Sequence, residues 1–300
     1  MDAIDYVVPM VFHEDPLWQE DFRKVGSRFN RNDKYSFVRF RSWGIEDVLI
    51  ECVKKFMPFV RTIYILLARE SQVQGWMAAM MSQQTGPRVR IVFHREFMPE
   101  WALPTFNSTA IEMFLHKIPG ISDRFIYAND DMFPVAPMHP EDFFEGDIPR
   151  QRCQLYPFPD KPNIFHLLCR SGLNFVAREF GLRYTDQYMK GAHGMTPVVK
   201  ETCEYLWSIG GGEIEKSISP FREPKNFTQW IYPWWHHLSG NYIDADPVST
   251  YINVSATVDD VVRRIACCRN IVCINDNECE PDYTKYAVAA KRAIEARLRV

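Results

Sequence analysis

The chain has 300 residues, 46% of them hydrophobic and 24% charged, enough to bury the core of one large domain or of a domain with an insertion. Its 35 basic and 38 acidic side chains leave a net charge of −3, and no basic patch interleaves with aromatics, which excludes a general binder of phosphate backbones. No window reaches the ~18–20 apolar residues of a membrane-spanning helix, and the acidic start reads as neither a secretory signal nor a span. The expected location is therefore cytoplasmic, at the inner face of the membrane where partners hold the chain there.

Ile4–Val8 is the first candidate strand, followed by the polar turn His13-Glu14-Asp15-Pro16 and a helix from about Leu17. Residues 44–57 read as a helix and Arg61–Leu67 as a buried strand. A helix near 72–82 leads to a strand at Val89–His94, and residues 107–117 have helical apolar spacing through Ile111, Phe114, Leu115 and Ile118. Residues 124–128 form the next strand. Strand and helix alternating at this pitch predict a mostly parallel sheet flanked by helices. From about 150 to 245 the chain is richer in Pro and aromatics, with helices expected near 163–180, 196–209 and 226–239. A last strand, Asn270–Ile274, precedes a helix near 282–298. The expected organisation is an α/β core over 1–150, a helical insertion over 151–245, and a strand and helix over 246–300 completing the core.

Two of these strands run into polar tips, Asn129-Asp130-Asp131 and Asn275-Asp276-Asn277. Strand ends that carry adjacent carboxylates place negative charge at the carboxyl edge of a sheet, where open α/β folds bind ligands. Adjacent acids repel unless a cation compensates them, and magnesium favours carboxylate and water oxygens shared with phosphate. The structural alternative is an Asx-rich turn closing a strand. The eight cysteines lack paired CxxC spacing, so the cluster Cys267, Cys268, Cys273 and Cys279 is expected to be ordinary buried thiol rather than a metal site.

One ordered set of motifs is more specific. It comprises Arg39-Phe40-Arg41-Ser42-Trp43-Gly44, Pro58–Arg61 leading into a strand, Leu103–Ser108, Ala110-Ile111-Glu112, His116 with Ile118-Pro119-Gly120, Arg124–Tyr127, Asn129–Phe133 and Pro140–Phe144. Ala192-His193 with Pro197, Phe221-Arg222, Tyr232 and Cys273–Asp276 follow in order. With these motifs the chain resembles the Stealth proteins, capsular-polysaccharide phosphotransferases related to the animal enzyme that attaches N-acetylglucosamine-1-phosphate to lysosomal glycans.

The resemblance implies a glycosyltransferase-A-like α/β core with a helical, aromatic-rich insertion. The implied reaction takes a nucleotide-sugar, a UDP-N-acetylhexosamine by expectation, and transfers its sugar-1-phosphate to a hydroxyl of an acceptor glycan. A nucleoside monophosphate leaves. The implied cofactor is Mg2+ or Mn2+, and the implied setting is capsule or cell-wall polysaccharide synthesis beside an assembly complex. The alternatives are a metal-dependent glycosyltransferase that releases a nucleoside diphosphate, and an inactive scaffold of such a complex.

Carried over position by position, His193 is the expected general base, Arg222 the phosphate-binding guanidinium and Asp130 the third catalytic group. Asp131 and Asp276 are the expected metal ligands. Asn107, Asn129, Arg39, Asp15, Glu112 and Asn275 are expected to bind substrate. Several have structural alternatives: Asn107 as a helix cap, Glu112 in a capping box with Thr109, Asp15 as turn chemistry, and Arg222 in an ion pair with Glu223 or another acid. His236 and His237 beside Trp234 and Trp235 read as a packed helix end. Two departures from the family pattern stand out. Met10-Val11-Phe12-His13 replaces a block that usually carries Asp and Gly, and Glu46, Asp47 and Glu51 occupy a helix that is usually basic. Acids facing a diphosphate would weaken its binding, unless they point away from it.

Overall fold

The computed structural model describes residues 3–28, 38–83, 85–191, 194–245, 249–253, 256–276 and 283–299. In chain order the elements are β1 (Ile4–Pro9), α1 (Pro16–Arg28), α2 (Glu46–Phe56), β2 (Val60–Leu67), α3 (Gly75–Ser82), β3 (Arg88–Phe93), α4 (Ser108–Glu112), β4 (Arg124–Tyr127) and β5 (Met132–Pro134). A short hairpin of β6 (Phe144–Glu145) and β7 (Ile148–Pro149) leads to β8 (Cys153–Pro157), α5 (Ile164–Ala177), β9 (Gln187–Gly191), β10 (Thr196–Val199), α6 (Lys200–Ser217) and α7 (Ile231–Ser239). The chain then forms β11 (Ser249–Asn253), α8 (Val258–Cys267), β12 (Ile271–Asn275) and α9 (Tyr283–Arg299).

The main sheet has the order β10-β4-β1-β2-β3. Strands β4, β1, β2 and β3 run parallel, and β10 closes one side antiparallel to β4. The expected mostly parallel α/β sheet is thus present. Its central strands are buried on both faces, and side chains alternate between two apolar layers as strand geometry requires. Tyr6, Val8, Ile63 and Ile65 face α2, β12 and α9, whereas Val7, Tyr64 and Leu66 face the packing of α5, α6 and α7. A second sheet, β11-β12-β5, is parallel between β11 and β12 and antiparallel between β12 and β5.

Some expected elements are resolved differently. The helix expected over 107–117 ends at Glu112 and gives way to a 3-10 turn at Leu115–Lys117. Residues 109–116 are buried without interruption, so their apolar spacing reflects packing on all sides rather than one helical stripe. The helix expected over 196–209 begins only at Lys200, because Thr196–Val199, rich in β-branched residues, pairs with β4. The insertion is not purely helical: β8 and β9 pair antiparallel within it, and β10 joins the main sheet. Among the described residues no helix is long and apolar enough to cross a membrane.

Candidate active site

The carboxyl ends of β1, β2, β3 and β4 lie side by side, and the chain leaves each of them into one cleft of about 370 Å³. Met10 and Val11 follow β1, Ala68 follows β2, His94 follows β3, and Asn129-Asp130-Asp131 follow β4. The remaining walls come from Arg39, Arg41 and Trp43 before α2, from Phe106, Asn107 and Ser108 entering α4, from Phe221 and Arg222, and from Asn275 and Asp276 at the end of β12.

The two acidic tips meet, but not as neighbours in one sheet. Asn129–Asp131 is the bend that carries the chain from β4 in the main sheet to β5 in the second one. Strand β5 pairs with β12, and Ile274 N donates to Asp131 O at 2.9 Å. That pairing brings Asn275 and Asp276 to the same cleft.

Asp130 and Asp131 are half-buried there. Burial, Asp131 and Glu46 raise the Asp130 carboxyl to about 8. Burial raises Asp131 to about 6, opposed by the Cys273 thiol, which donates to Asp131 Oδ2 at 3.3 Å. Asp131 Oδ1 is buried with no hydrogen-bond partner. Asn129 Oδ1 accepts from Tyr127 Oη at 3.2 Å.

Asp276, an expected metal ligand, is instead engaged by protein donors. Arg41 grips both of its oxygens through Nε and Nη2, and Trp43 Nε1 donates at 3.2 Å. The Arg41 guanidinium also lies over the Tyr283 ring, 4.1 Å from its centroid. Arg41 and Trp43 stand inside the quoted Arg39–Gly44 motif, yet only Arg39 was expected to act. Both arginines line the cleft.

Arg222 also lines the cleft, and its Nη2 donates to Ser108 Oγ at 2.9 Å. The Glu223 alternative is not taken up, since Glu223 pairs with Lys225 at 3.5 Å. Glu112 sits behind Arg222. It is fully buried, accepts from Gln229 N at 2.7 Å and Tyr127 Oη at 3.2 Å, and is raised by desolvation against the opposing pull of Arg222. It does not line the cleft, so it supports the wall rather than touching a ligand. The Thr109–Glu112 capping box is absent as well, because the cap of α4 is Asn107.

Asn107 borders the cleft, but its amide is committed to the protein. Its Oδ1 accepts from Thr109 N and Oγ1 at 3.2 and 2.8 Å, and its Nδ2 donates to Ser219 O and Asn226 Oδ1 at 3.1 and 3.0 Å. With both donors used, Asn107 fixes the wall against the insertion instead of binding substrate. Asp15 is likewise turn chemistry: buried outside the cleft, it accepts from Leu17 N at 3.2 Å and Ser71 Oγ at 2.7 Å.

His193, with Asn277 and Cys279, lies outside the described residues. Its described flanks are Gly191, which ends β9, and Thr196, which pairs with Tyr127 two residues before Asn129. His236 is a packed residue, with Nε2 at 2.9 Å from Thr202 Oγ1 and Nδ1 at 3.1 Å from Asn241 O. Cys268 and Cys273 are buried thiols, Cys268 donating to Ile271 O at 3.2 Å, whereas Cys267 is exposed rather than buried as expected.

The acidic positions of α2 separate by direction. Asp47 points outward to Lys291 of α9, with Nζ at 3.3 Å, and Glu51 is exposed on the same outer face. Glu46 alone lines the cleft. Its Oε1 accepts from Ser42 Oγ at 2.7 Å and Trp43 N at 3.3 Å, fixing the turn that presents Arg41.

Comparison with known proteins bears on the same residues. Residues 39–151 match Stealth protein CR2, conserved region 2. The chain is 27% identical over 279 residues to receptor polysaccharide phosphotransferase WefC of Streptococcus oralis, covering 82% of each chain. Capsular polysaccharide phosphotransferase WcwK of Streptococcus pneumoniae shows the same identity and coverage. Exopolysaccharide phosphotransferase cps2G of Lactiplantibacillus plantarum is 38% identical over 144 residues, 48% of this chain and 40% of that one. Among solved structures, galactosyltransferase LgtC in complex with donor and acceptor sugar analogs aligns over 98% of this chain and 96% of that one, with 12% identity and a TM-score of 0.44.

Proposed function

We propose that the chain is a Stealth phosphotransferase of capsule or cell-wall polysaccharide synthesis, a reading supported by the match of residues 39–151 to Stealth conserved region 2 and by the similarity to polysaccharide phosphotransferases. It transfers a sugar-1-phosphate from a nucleotide-sugar, a UDP-N-acetylhexosamine, to a hydroxyl of an acceptor glycan and releases a nucleoside monophosphate. The observation that carries this reading is the cleft itself. Acidic tips from two sheets and the guanidinium groups of Arg39, Arg41 and Arg222 open on one space of about 370 Å³. Guanidinium groups, beside carboxylates that could hold a divalent cation, suit a diphosphate, whose transfer requires charge neutralisation and alignment more than covalent chemistry from the protein.

Asp130 and Asp131 fit a magnesium or manganese ion, because crowding and burial penalise both anions and Asp131 Oδ1 has no partner. Among the described residues no group of three or more His, Cys, Asp or Glu is arranged around a cation, so its other ligands would be substrate and water oxygens. When bound, the cation would neutralise the diphosphate.

The chain's own residues supply the rest. Arg222, steadied by Ser108, presents a planar fork to phosphate oxygens. Glu112 holds the backbone of Gln229 and the hydroxyl of Tyr127 behind it. Arg41, aligned by Asp276 and Tyr283, offers a second guanidinium to the same cleft. His193 takes the proton of the acceptor hydroxyl as its oxygen attacks the phosphorus that bears the sugar. The bond from that phosphorus to the nucleoside monophosphate breaks, and the anomeric C–O bond is untouched.

The test is incubation with a panel of nucleotide-sugars and magnesium, reading the released nucleotide by mass. A nucleoside monophosphate together with a phosphodiester-linked sugar is expected. A nucleoside diphosphate would assign a glycosyltransferase instead, and no turnover of any donor would assign a scaffold.

A further inference from the structure

At the end of the cleft farthest along the sheet from Asp130, the strand ends of β2 and β3 contribute Ala68 and His94. Strand β3 stops at Phe93, which stands opposite Leu67, so His94 follows beside Ala68 on the neighbouring strand β2. Ala68 and Val11 pack against the aromatic cluster that holds Trp18 and Phe106, whose rings meet edge to face at 5.2 Å. His94, Ala68, Val11, Trp18 and Phe106 line the cleft. His94 is only 5% exposed, and its Nε2 has no hydrogen-bond partner. Its ring meets Phe97 edge-on at 6.0 Å.

A buried ring nitrogen without a partner costs stability in the empty protein, so its retention at a cleft wall points to a ligand group. The carboxylates of Asp130, Asp131 and Asp276 lie at the β4 and β12 end, where a cation and the diphosphate would sit. A flat, uncharged moiety suits the aromatic end. Resting on the donor cleft described above, we propose that His94 is a specificity-determining residue that hydrogen-bonds the nucleoside of the donor, which lies against Ala68, Val11, Trp18 and Phe106. Burial keeps the imidazole neutral at physiological pH by lowering it to about 4, so it meets an uncharged ribose hydroxyl or base edge rather than a phosphate.

The experiment measures magnesium-dependent binding of the four common ribonucleoside diphosphates and of inorganic pyrophosphate by calorimetry. The proteins are the intact wild type, His94→Ala and His94→Gln, with thermal melts to establish that each is folded. The expected result has three parts: wild type binds one nucleoside diphosphate more tightly than pyrophosphate, His94→Ala weakens that nucleotide roughly tenfold or more while leaving pyrophosphate unchanged, and His94→Gln restores part of the loss. Equal nucleotide binding by wild type and His94→Ala overturns the assignment of His94 and leaves the donor cleft standing. Equal losses for nucleotide and pyrophosphate also overturn it, as the mark of a structural role. If wild type binds none of the nucleotides, the donor cleft itself falls and the assignment with it.

Discussion

At Asp130 burial, Asp131 and Glu46 all disfavour the anion, and the sign of the resulting pH dependence is fixed. A carboxyl raised from its ordinary value to about 8 keeps its proton in the folded chain where the unfolded chain has lost it. Its favourable contribution is therefore complete below about pH 4 and is lost progressively up to about pH 8. In metal-free buffer, Asp130→Asn should be more stable than wild type at pH 8, by about 1–3 kcal/mol after allowance for screening at a half-exposed site, and the gap should close toward pH 5. Thermal melts across that range check this. An unchanged gap would show that Asp130 is ionised without penalty. Magnesium should raise the wild-type melting temperature at pH 8 and leave the variant's nearly unmoved. The acids were readable in the sequence because an apolar strand empties straight into them. Arg41 was not, since two arginines two residues apart in one motif cannot be ranked until Asp276 is seen to hold one of them. Asn107 and Asp15 were readable only as alternatives, because a residue that caps a turn and one that holds a ligand share the same side-chain chemistry.

Within the insertion, α6 bends at Gly210, whose φ of −148° and ψ of 24° fall outside the helix. A Cβ there would stand 2.3 Å from Cε2 of Phe175, in the ring that stacks on Phe227 at 4.7 Å. Gly210→Ala should therefore destabilise the protein by about 2–3 kcal/mol through overpacking, seen as a lower melting temperature. Nucleotide binding below the transition should persist, and a variant as stable as wild type would mean that α5 shifts freely away from α6. The bend was not readable, since Gly210-Gly211-Gly212 offers three equivalent places for it. Strand β10 was missed for a related reason: Thr196–Val199 runs directly into the residues of α6, and only pairing with β4 divides strand from helix. By contrast β1, β2 and β12 were readable because buried strands are short continuous apolar runs, and β3 because its Val89, Ile91 and Val92 are β-branched. Strand β5, at three residues, carries too little pattern to stand out.

The molecule as a whole joins two sheets at its cleft, with the 129–131 bend leading from one sheet to the other and β12 clasping β5. A donor seated there would touch both. Adding nucleotide-sugar and magnesium should slow amide exchange at 129–131 and at 274–276 together, by similar factors. Protection at one segment alone would separate the acidic tips functionally. The alternation of elements made the main sheet readable, but the second sheet depends on a pairing between Met132 and Cys273, distant in sequence, that no local pattern encodes. That pairing has a consequence during synthesis. A nascent chain can complete β1 to β4 while β12 is still inside the ribosome, and it then has the Asp130 wall without the Asp276 wall. Arg41 at that stage lacks the carboxylate that aims it. The wall that holds Arg41 thus forms late in translation, together with the β12 and α9 layer that covers Tyr6, Val8, Ile63 and Ile65.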